Sequence, residues 1–342
     1  MLDNCSVVIP RDDVDPRYVK SFTLLRGEDA HFAKEFFEDF GFVVFRGIFS
    51  DQECEETRNA MWNIIEKTSP GFDRNESQSW SSYKSAGKYG LSMRGPCFEE
   101  TIVRNRQNEY LIEVFKLLMD ETDILVSHDR FTIYRATQVE NGQGFTTGPR
   151  NVHLDLNPWW YTESSKLVED GIETLQYEDE QDFIRENNLV VKSMGRHLQC
   201  VMNFVDNLEE DGGTIVVPRF HKILEKWCLE NVDRKRSLPW IELPLADPLV
   251  AYGQRIPMAA GSVLIWDQTL MHGSSPNDSR KCRMAQFIKA FPLRCISEAR
   301  LLRRSTALVA LLAKASVSHD GLSAFGEKCF FGHETTPKPN FT

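Results

Sequence analysis

Clustered cysteines, glycine-rich phosphate loops, long apolar runs and an excess of positive charge are all missing from this 342-residue chain. Its eight cysteines (Cys5, Cys54, Cys97, Cys200, Cys228, Cys282, Cys295, Cys329) include no C-x-x-C pair, so zinc-ribbon and thioredoxin-type sites have no support. Scattered through a chain of this size, they read as reduced, mostly buried thiols of an intracellular protein. No G-x-G-x-x-G or G-x-x-x-x-G-K-[ST] pattern points to a dinucleotide or phosphate site. The apolar run Ala307 to Ala313 is far too short to cross a bilayer, and the first residues lack the basic-then-apolar layout of a signal peptide. A soluble, cytoplasmic protein is the expectation. The net charge of −10 and pI near 5.4 repel phosphate backbones, so nucleic acid is not an expected partner. No Gly/Ser- or Pro-rich linker divides the chain, and no repeat of solenoid period stands out. With 41% hydrophobic residues, one domain with insertions is expected.

What is present is ordered. Phe32, Phe36, Phe37 and Phe40 share one face of a helix predicted over 31–40, and Gly41 follows as a stop. A short buried strand is expected at 42–46, and Ser50-Asp51-Gln52-Glu53 is a capping-box pattern opening a helix to about Lys67. Residues 68–97 read as a long polar loop and 101–119 as another helix. From about 121 the character changes to short β-prone runs at 130–136, 198–205, 214–217, 262–266 and 283–291. A partly helical insertion at about 157–196 interrupts them, and a helix over 296–315 and a loose tail from His333 close the chain. Helices about 1–120, then strands to about 295 without βα alternation, give a mainly β fold with flanking helices, an antiparallel barrel or sandwich.

His153-Leu154-Asp155 carries the chemistry. Side chains two apart on a strand point the same way, so an imidazole and a carboxylate there can grip one metal, and the distant His272 can complete three ligands. A bare H-x-D is a weak signal, expected by chance in roughly every other chain with this many histidines and acids. An ordinary strand-end histidine beside a solvated turn acid is the plain alternative. Arg283 adds context. It shares strand parity with Ala285, Phe287 and Phe291, an apolar and therefore inward face. An inward guanidinium needs an anion, supplied by a ligand carboxylate or by a protein acid.

Five pieces then occur in one order: GFVVFRGIFSDQECEETR (41–58), HLD (153–155), EDGGTIVVPRFHK (210–222), AGSVLIWDQTLMHGSSPNDS (260–279) and Arg283. Together they resemble the phytanoyl-CoA dioxygenase family of Fe(II)/2-oxoglutarate oxygenases. The resemblance implies a double-stranded β-helix (jelly-roll, cupin-like) core, with His153, Asp155 and His272 on Fe(II) and Arg283 on the distal carboxylate of oxoglutarate. O2 would be the second co-substrate. The product would be a hydroxylated, desaturated or cyclised small molecule, with succinate and CO2. Two departures stand out: Arg219-Phe220 replaces the usual Gly-Ser before His221, and Ser262 replaces the usual acid after Gly261. His221 is expected to be structural, since the ligand set is complete without it.

Asn203, Thr214, Tyr134 and Ser274 are polar residues on or beside core strands where a bound diacid could be bonded, or where ordinary barrel hydrogen bonds form. Between Ser77 and Phe98 there is no acid, while Lys84, Lys88 and Arg94 appear among tyrosines and serines, and Arg150 precedes the iron motif. These cations suggest a lid steering an anionic, carboxylate-bearing substrate; a solvated loop with incidental charge is the alternative. Trp159, with Trp160 and Tyr161, suits a substrate wall or simple packing of the insertion. The oligomeric state is not legible. Two other readings use the same residues: a catalytically silent jelly-roll binding protein, and a zinc- or manganese-dependent hydrolase or isomerase.

Overall fold

The computed structural model describes residues 2–24, 27–85, 88–93, 95–138, 147–178, 180–318 and 321–332. Arg94 and the tail from His333, both singled out above, lie outside them.

After a short 3-10 turn at Leu2–Cys5, the first α-helix is Gly27–Phe40, whose Phe36 stacks on Phe40 and meets Phe42 edge-on. Gly41 then takes φ +83°, and a Cβ there would strike the His221 ring, so only glycine turns the chain this sharply into β1 (Phe42–Phe45). Ser50 and Glu53 form the expected capping box on the helix Asp51–Thr68. The single helix expected over 101–119 is two, Glu100–Asn105 and Glu109–Met119. The break falls at Asn108, whose side chain accepts from the Leu111 N–H and starts a new helix.

The strands that follow are β2 (Ile124–Val126), β3 (Phe131–Tyr134), β4 (His153–Leu154), β5 (Leu198–Asn203), β6 (Gly213–Val216), β7 (Ile241–Glu242), β8 (Gln254–Arg255), β9 (Val263–Asp267), β10 (His272–Ser275) and β11 (Arg283–Pro292). Their pairing is antiparallel throughout and gives two sheets. The larger runs β1-β9-β5-β11, with β2 and β3 sharing the far edge of β11; the smaller runs β7-β4-β10-β6-β8. The larger sheet is covered on both faces. Val44, Val201, Leu264 and Ala285 point to the smaller sheet and meet Val152, Leu154 and Ile215. Val43, Cys200, Met202, Ile265 and Ile288 point outward, into a layer made by the N-terminal helices, the insertion and the C-terminal helices Glu298–Lys314 and Ala324–Phe331. This sandwich of two antiparallel sheets buttressed by helices is the expected jelly-roll core.

β2, β7, β8 and the helix Ala324–Phe331 escaped the sequence reading; the three strands span only two or three residues each, too few to show a period. The insertion holds three short α-helices, Pro158–Thr162, Lys166–Glu173 and Asp182–Arg185, with 3-10 turns after them. Arg219, standing where glycine is usual, keeps the left-handed backbone (φ +64°), and its guanidinium pairs with Asp39. No helix among the described residues is long and apolar enough to cross a membrane.

Candidate active site

Between the two sheets lies a cavity of about 230 Å³. His153 on β4 and His272 on β10 are directly opposed across an antiparallel pair, with ring centroids 4.5 Å apart. Asp155, just past the end of β4, places one carboxylate oxygen 3.7 Å from His153 Nε2 and the other 3.8 Å from His272 Nε2. One ligand atom from each of the three lies within 4.8 Å of the others, a spacing that suits a shared metal ion. Pairing between β4 and β10 brings residues 119 positions apart to one point.

The imidazoles are oriented for ligation. His272 Nδ1 lies 3.0 Å from the Leu270 carbonyl, an acceptor only, so Nδ1 carries the proton and Nε2 faces the site as a base. His153 Nδ1 lies 3.2 Å from Asn151 Oδ1, which also accepts from the Ser274 N–H and is thereby fixed as an oxygen. Burial and the neighbouring His272 push His153 down to about 4, so it is neutral near pH 7, as ligation requires. Burial alone would raise the Asp155 carboxyl, but the Lys289 ammonium and the two histidines hold it well below the usual carboxylate range. Lys289 Nζ and Gln199 Nε2 both lie 3.0 Å from Asp155 Oδ2.

Arg283 enters the same cavity from the start of β11, opposite Tyr134 of β3. It is 3% exposed, and burial lowers it to about 10. Among the described residues its guanidinium makes one hydrogen bond, from Nη2 to Thr214 Oγ1 at 3.2 Å; Nε has no partner there, and no carboxylate pairs with it. Gly213 makes room for it. A Cβ there would sit 2.6 Å from Arg283 Nε, and the glycine holds φ +108°. Behind it, Arg255 is buried on carbonyl groups of Thr214 and Leu208 and the Asn207 side chain, adding a second positive charge to this end of the barrel.

Of the other residues nominated from sequence, Thr214 and Ser274 line the cavity. Tyr134 is buried beside Arg283, its hydroxyl donating to the Gly148 or Ser275 carbonyl at 3.2 Å. Asn203 is buried away from the cavity lining, its amide N–H groups given to the carbonyls of Val205 and Ala259. Of the cations expected at the substrate side, Lys84, Lys88 and Arg150 do not line the cavity. Lys84 and Lys88 are exposed, and the same loop reaches the cavity through Tyr89 and Leu91 instead. Arg150 donates to the Val250 and Gly253 carbonyls, and Trp159 is packed on Trp227 with its N–H on the Cys228 carbonyl. His221 sits at the Glu38 carbonyl, away from the triad.

The sequence reading missed Lys289, Gln199, Asn151 and Trp266. Lys289 carried a usable signal, since it has the same strand parity as Arg283. Asn151 carried one as well, being two residues before His153 on an extended segment.

The orphaned guanidinium and the two imidazoles that turn Nε2 toward an ionised aspartate fit a divalent metal and a diacid. Comparison with known proteins agrees. The family model for phytanoyl-CoA dioxygenase (PhyH) matches residues 37–285. A Dictyostelium discoideum protein named "Putative phytanoyl-CoA dioxygenase" is 34% identical over 291 residues, covering 84% of this chain and 82% of that protein. Among solved structures, GlcNAc Inducible Gene 2 (GIG2, DUF1479) of Candida albicans is similar in fold with a TM-score of 0.57 at 16% identity, covering 100% of this chain and 84% of that one. The epimerase SnoN, solved with Fe3+, alpha ketoglutarate and nogalamycin RO, gives a TM-score of 0.51 at 12% identity over 78% of this chain and 85% of its own. The chain belongs to the phytanoyl-CoA dioxygenase family, oxidoreductases that use Fe(II), 2-oxoglutarate and O2.

Proposed function

We propose that this protein oxidises an unactivated C–H bond of a small organic molecule, with His153, Asp155 and His272 holding Fe(II) and Arg283 anchoring the distal carboxylate of oxoglutarate. The observation that carries the reading is Arg283: a buried guanidinium with no carboxylate partner among the described residues, opening into the cavity that holds the triad. Unless an anion meets it, such a charge is costly, and its planar fork matches a carboxylate. When bound, the iron and its co-substrate supply a C–H oxidation coupled to loss of CO2 from oxoglutarate, leaving succinate.

The chain's own residues then have three tasks. His153 and His272 turn Nε2 toward the site, each held in that orientation through Nδ1, by Asn151 and the Leu270 carbonyl respectively. Thr214 and Arg283 fix the co-substrate's far end, so its near end is directed to the metal. Val201, Trp266 and Phe287 line the remaining space and exclude water. The carboxylate ligand Asp155 is kept, whereas family members that halogenate lack it, so hydroxylation or a related oxidative outcome such as desaturation or cyclisation is the proposed class.

The direct test is anaerobic. Adding Fe(II) and oxoglutarate should give a weak visible charge-transfer band that disappears in His153→Ala and His272→Ala. A folded protein that binds metal but shows no band with oxoglutarate would sink the assignment and favour a hydrolase or a silent barrel. The anchor has its own test. Arg283→Ala should weaken oxoglutarate binding by about 2–4 kcal/mol, as expected when one half of a buried charge pair is lost. Gly213→Ala should weaken it too, by displacing the guanidinium without removing it. Calorimetric titration reads both, and wild-type affinity in Arg283→Ala would move the anchor elsewhere.

A further inference from the structure

Lys289 is the cation that the reading above leaves unused. On β11 it pairs in register with Gln199 of β5, and Gln199 pairs with Trp266 of β9, so the three form one cross-strand row facing the cavity. The Lys289 side chain is 10% exposed, and among the described residues its one acceptor is Asp155 Oδ2, which engages one of its three donors. Gln199 also donates to Asp155 Oδ2. Its amide cannot turn without setting Oε1 against that carboxylate, so Oε1 faces away and stays unsatisfied, as does Trp266 Nε1. The row therefore has unmet hydrogen-bonding capacity at each member.

The charges lining the cavity sharpen this. They are three cations (Arg130, Arg283, Lys289) against two carboxylates (Asp129, Asp155). Asp129 and Arg130 pair with each other at 3.3 Å. A divalent metal and a dianionic co-substrate cancel, so loading the site leaves one positive charge. It falls on Lys289, because Asp155 then serves the metal and Arg283 has the co-substrate. A buried ammonium whose counter-ion is committed elsewhere is costly, and a neutral ligand would not relieve it.

We propose that Lys289 binds a carboxylate of the primary substrate, with Gln199 and Trp266 beside it for a neighbouring hydroxyl or carbonyl; the proposal rests on the oxygenase reading above. It assigns recognition of the anion to the barrel wall rather than to the basic stretch at 77–98. Arg283 and Lys289, six residues apart on β11, would then hold the co-substrate and the substrate at the two ends of one cavity.

The test is a calorimetric titration of the anaerobic protein loaded with Fe(II) and saturating oxoglutarate. The probes are butyrate, hexanoate, octanoate and their 2-hydroxy derivatives, each against its matching alcohol and amide. The carboxylates should bind with the charge-transfer band retained, and the neutral partners at least about tenfold more weakly, the scale of a charge-assisted hydrogen bond. Lys289→Met should lose about that factor and Lys289→Arg should keep most of it; the comparison of matched probes on the unaltered protein decides the matter even if a variant does not fold. Equal binding of acids and alcohols overturns the proposal, as do full affinity in Lys289→Met, no binding of any carboxylate, and binding that displaces oxoglutarate and bleaches the band. A band missing before any probe is added overturns the oxygenase reading and this proposal together.

Discussion

Asp155→Ala should yield a folded protein without oxygenase turnover, and with Fe(II) affinity reduced by more than the roughly 10–100-fold typical of losing a partner outside the ligand set. Three effects add in one direction. A ligand oxygen is lost. The negative charge that offsets a divalent ion in a buried site is lost with it. Lys289, which has Asp155 as its acceptor, is left as an uncompensated cation facing the incoming metal. Asp155→Asn separates these effects, because it keeps the shape and some of the hydrogen bonding but not the charge. Titration with Fe(II) in the presence of oxoglutarate, together with succinate release in air, measures the outcome. Wild-type iron affinity and succinate production in Asp155→Ala would refute the ligand set.

The largest stability effect is expected away from the metal. Arg304, on the helix Glu298–Lys314, is fully buried and donates from Nε to Glu186 in the insertion, from Nη1 to the Phe330 carbonyl and from Nη2 to the Val126 carbonyl. Its guanidinium also lies over the rings of Phe183 and Phe291, and Tyr177 completes Glu186 with a 2.7 Å hydrogen bond. One side chain thus joins the insertion, the edge strand β2 and the C-terminal helix. Arg304→Ala strands a buried carboxylate and two carbonyls, and should cost about 3–5 kcal/mol in urea unfolding. Replacing Arg304 and Glu186 together by methionine should recover much of this, since no lone charge then remains. A single-variant loss below about 1 kcal/mol would show that water or a rearranged partner rescues Glu186. The insertion also touches the site. Gln268 donates to the Asn187 carbonyl, next to Glu186, and lies 3.4 Å from the Asp155 carbonyl, so loosening this joint should also loosen Asp155.

How much of this was legible depends on what each residue had to reveal. His153 and Asp155 stand two apart and announce themselves, and Arg283 is conspicuous as a cation among Ala285 and Phe287. Lys289 obeys the same parity, but a lysine toward the end of a strand reads by default as solvent-facing, and its partner Asp155 is 134 residues away. Gln199 and Trp266 have meaning only through the register of β5 against β9 and β11, which no local pattern encodes. Asn203 looked equally available, yet its amide is spent on nearby carbonyls. The basic loop is hard to read for a related reason. Its lack of acids is real, but charge along a loop does not say which side chains turn inward, and Tyr89 and Leu91 do so rather than Lys84 and Lys88. The division of 101–119 hinged on one asparagine, whose capping role competes with its tolerance inside a helix.

β11 gives the molecule a ruler. Arg283 and Lys289 lie on one extended strand, roughly 20 Å apart at ~3.3 Å per residue, clamped on one side by β5 and on the other by β2 and β3. No hinge lies between them, so the distance between the two charges cannot be adjusted by loop motion. Nor can it drift gradually over generations. Losing one residue between them would throw Lys289 through the sheet into the helical layer beside Ile288, and only changes of two residues would return it to the cavity, about 7 Å nearer or farther. Relatives built on this barrel should therefore accommodate ligands whose charged heads differ in reach by discrete steps, not along a continuum.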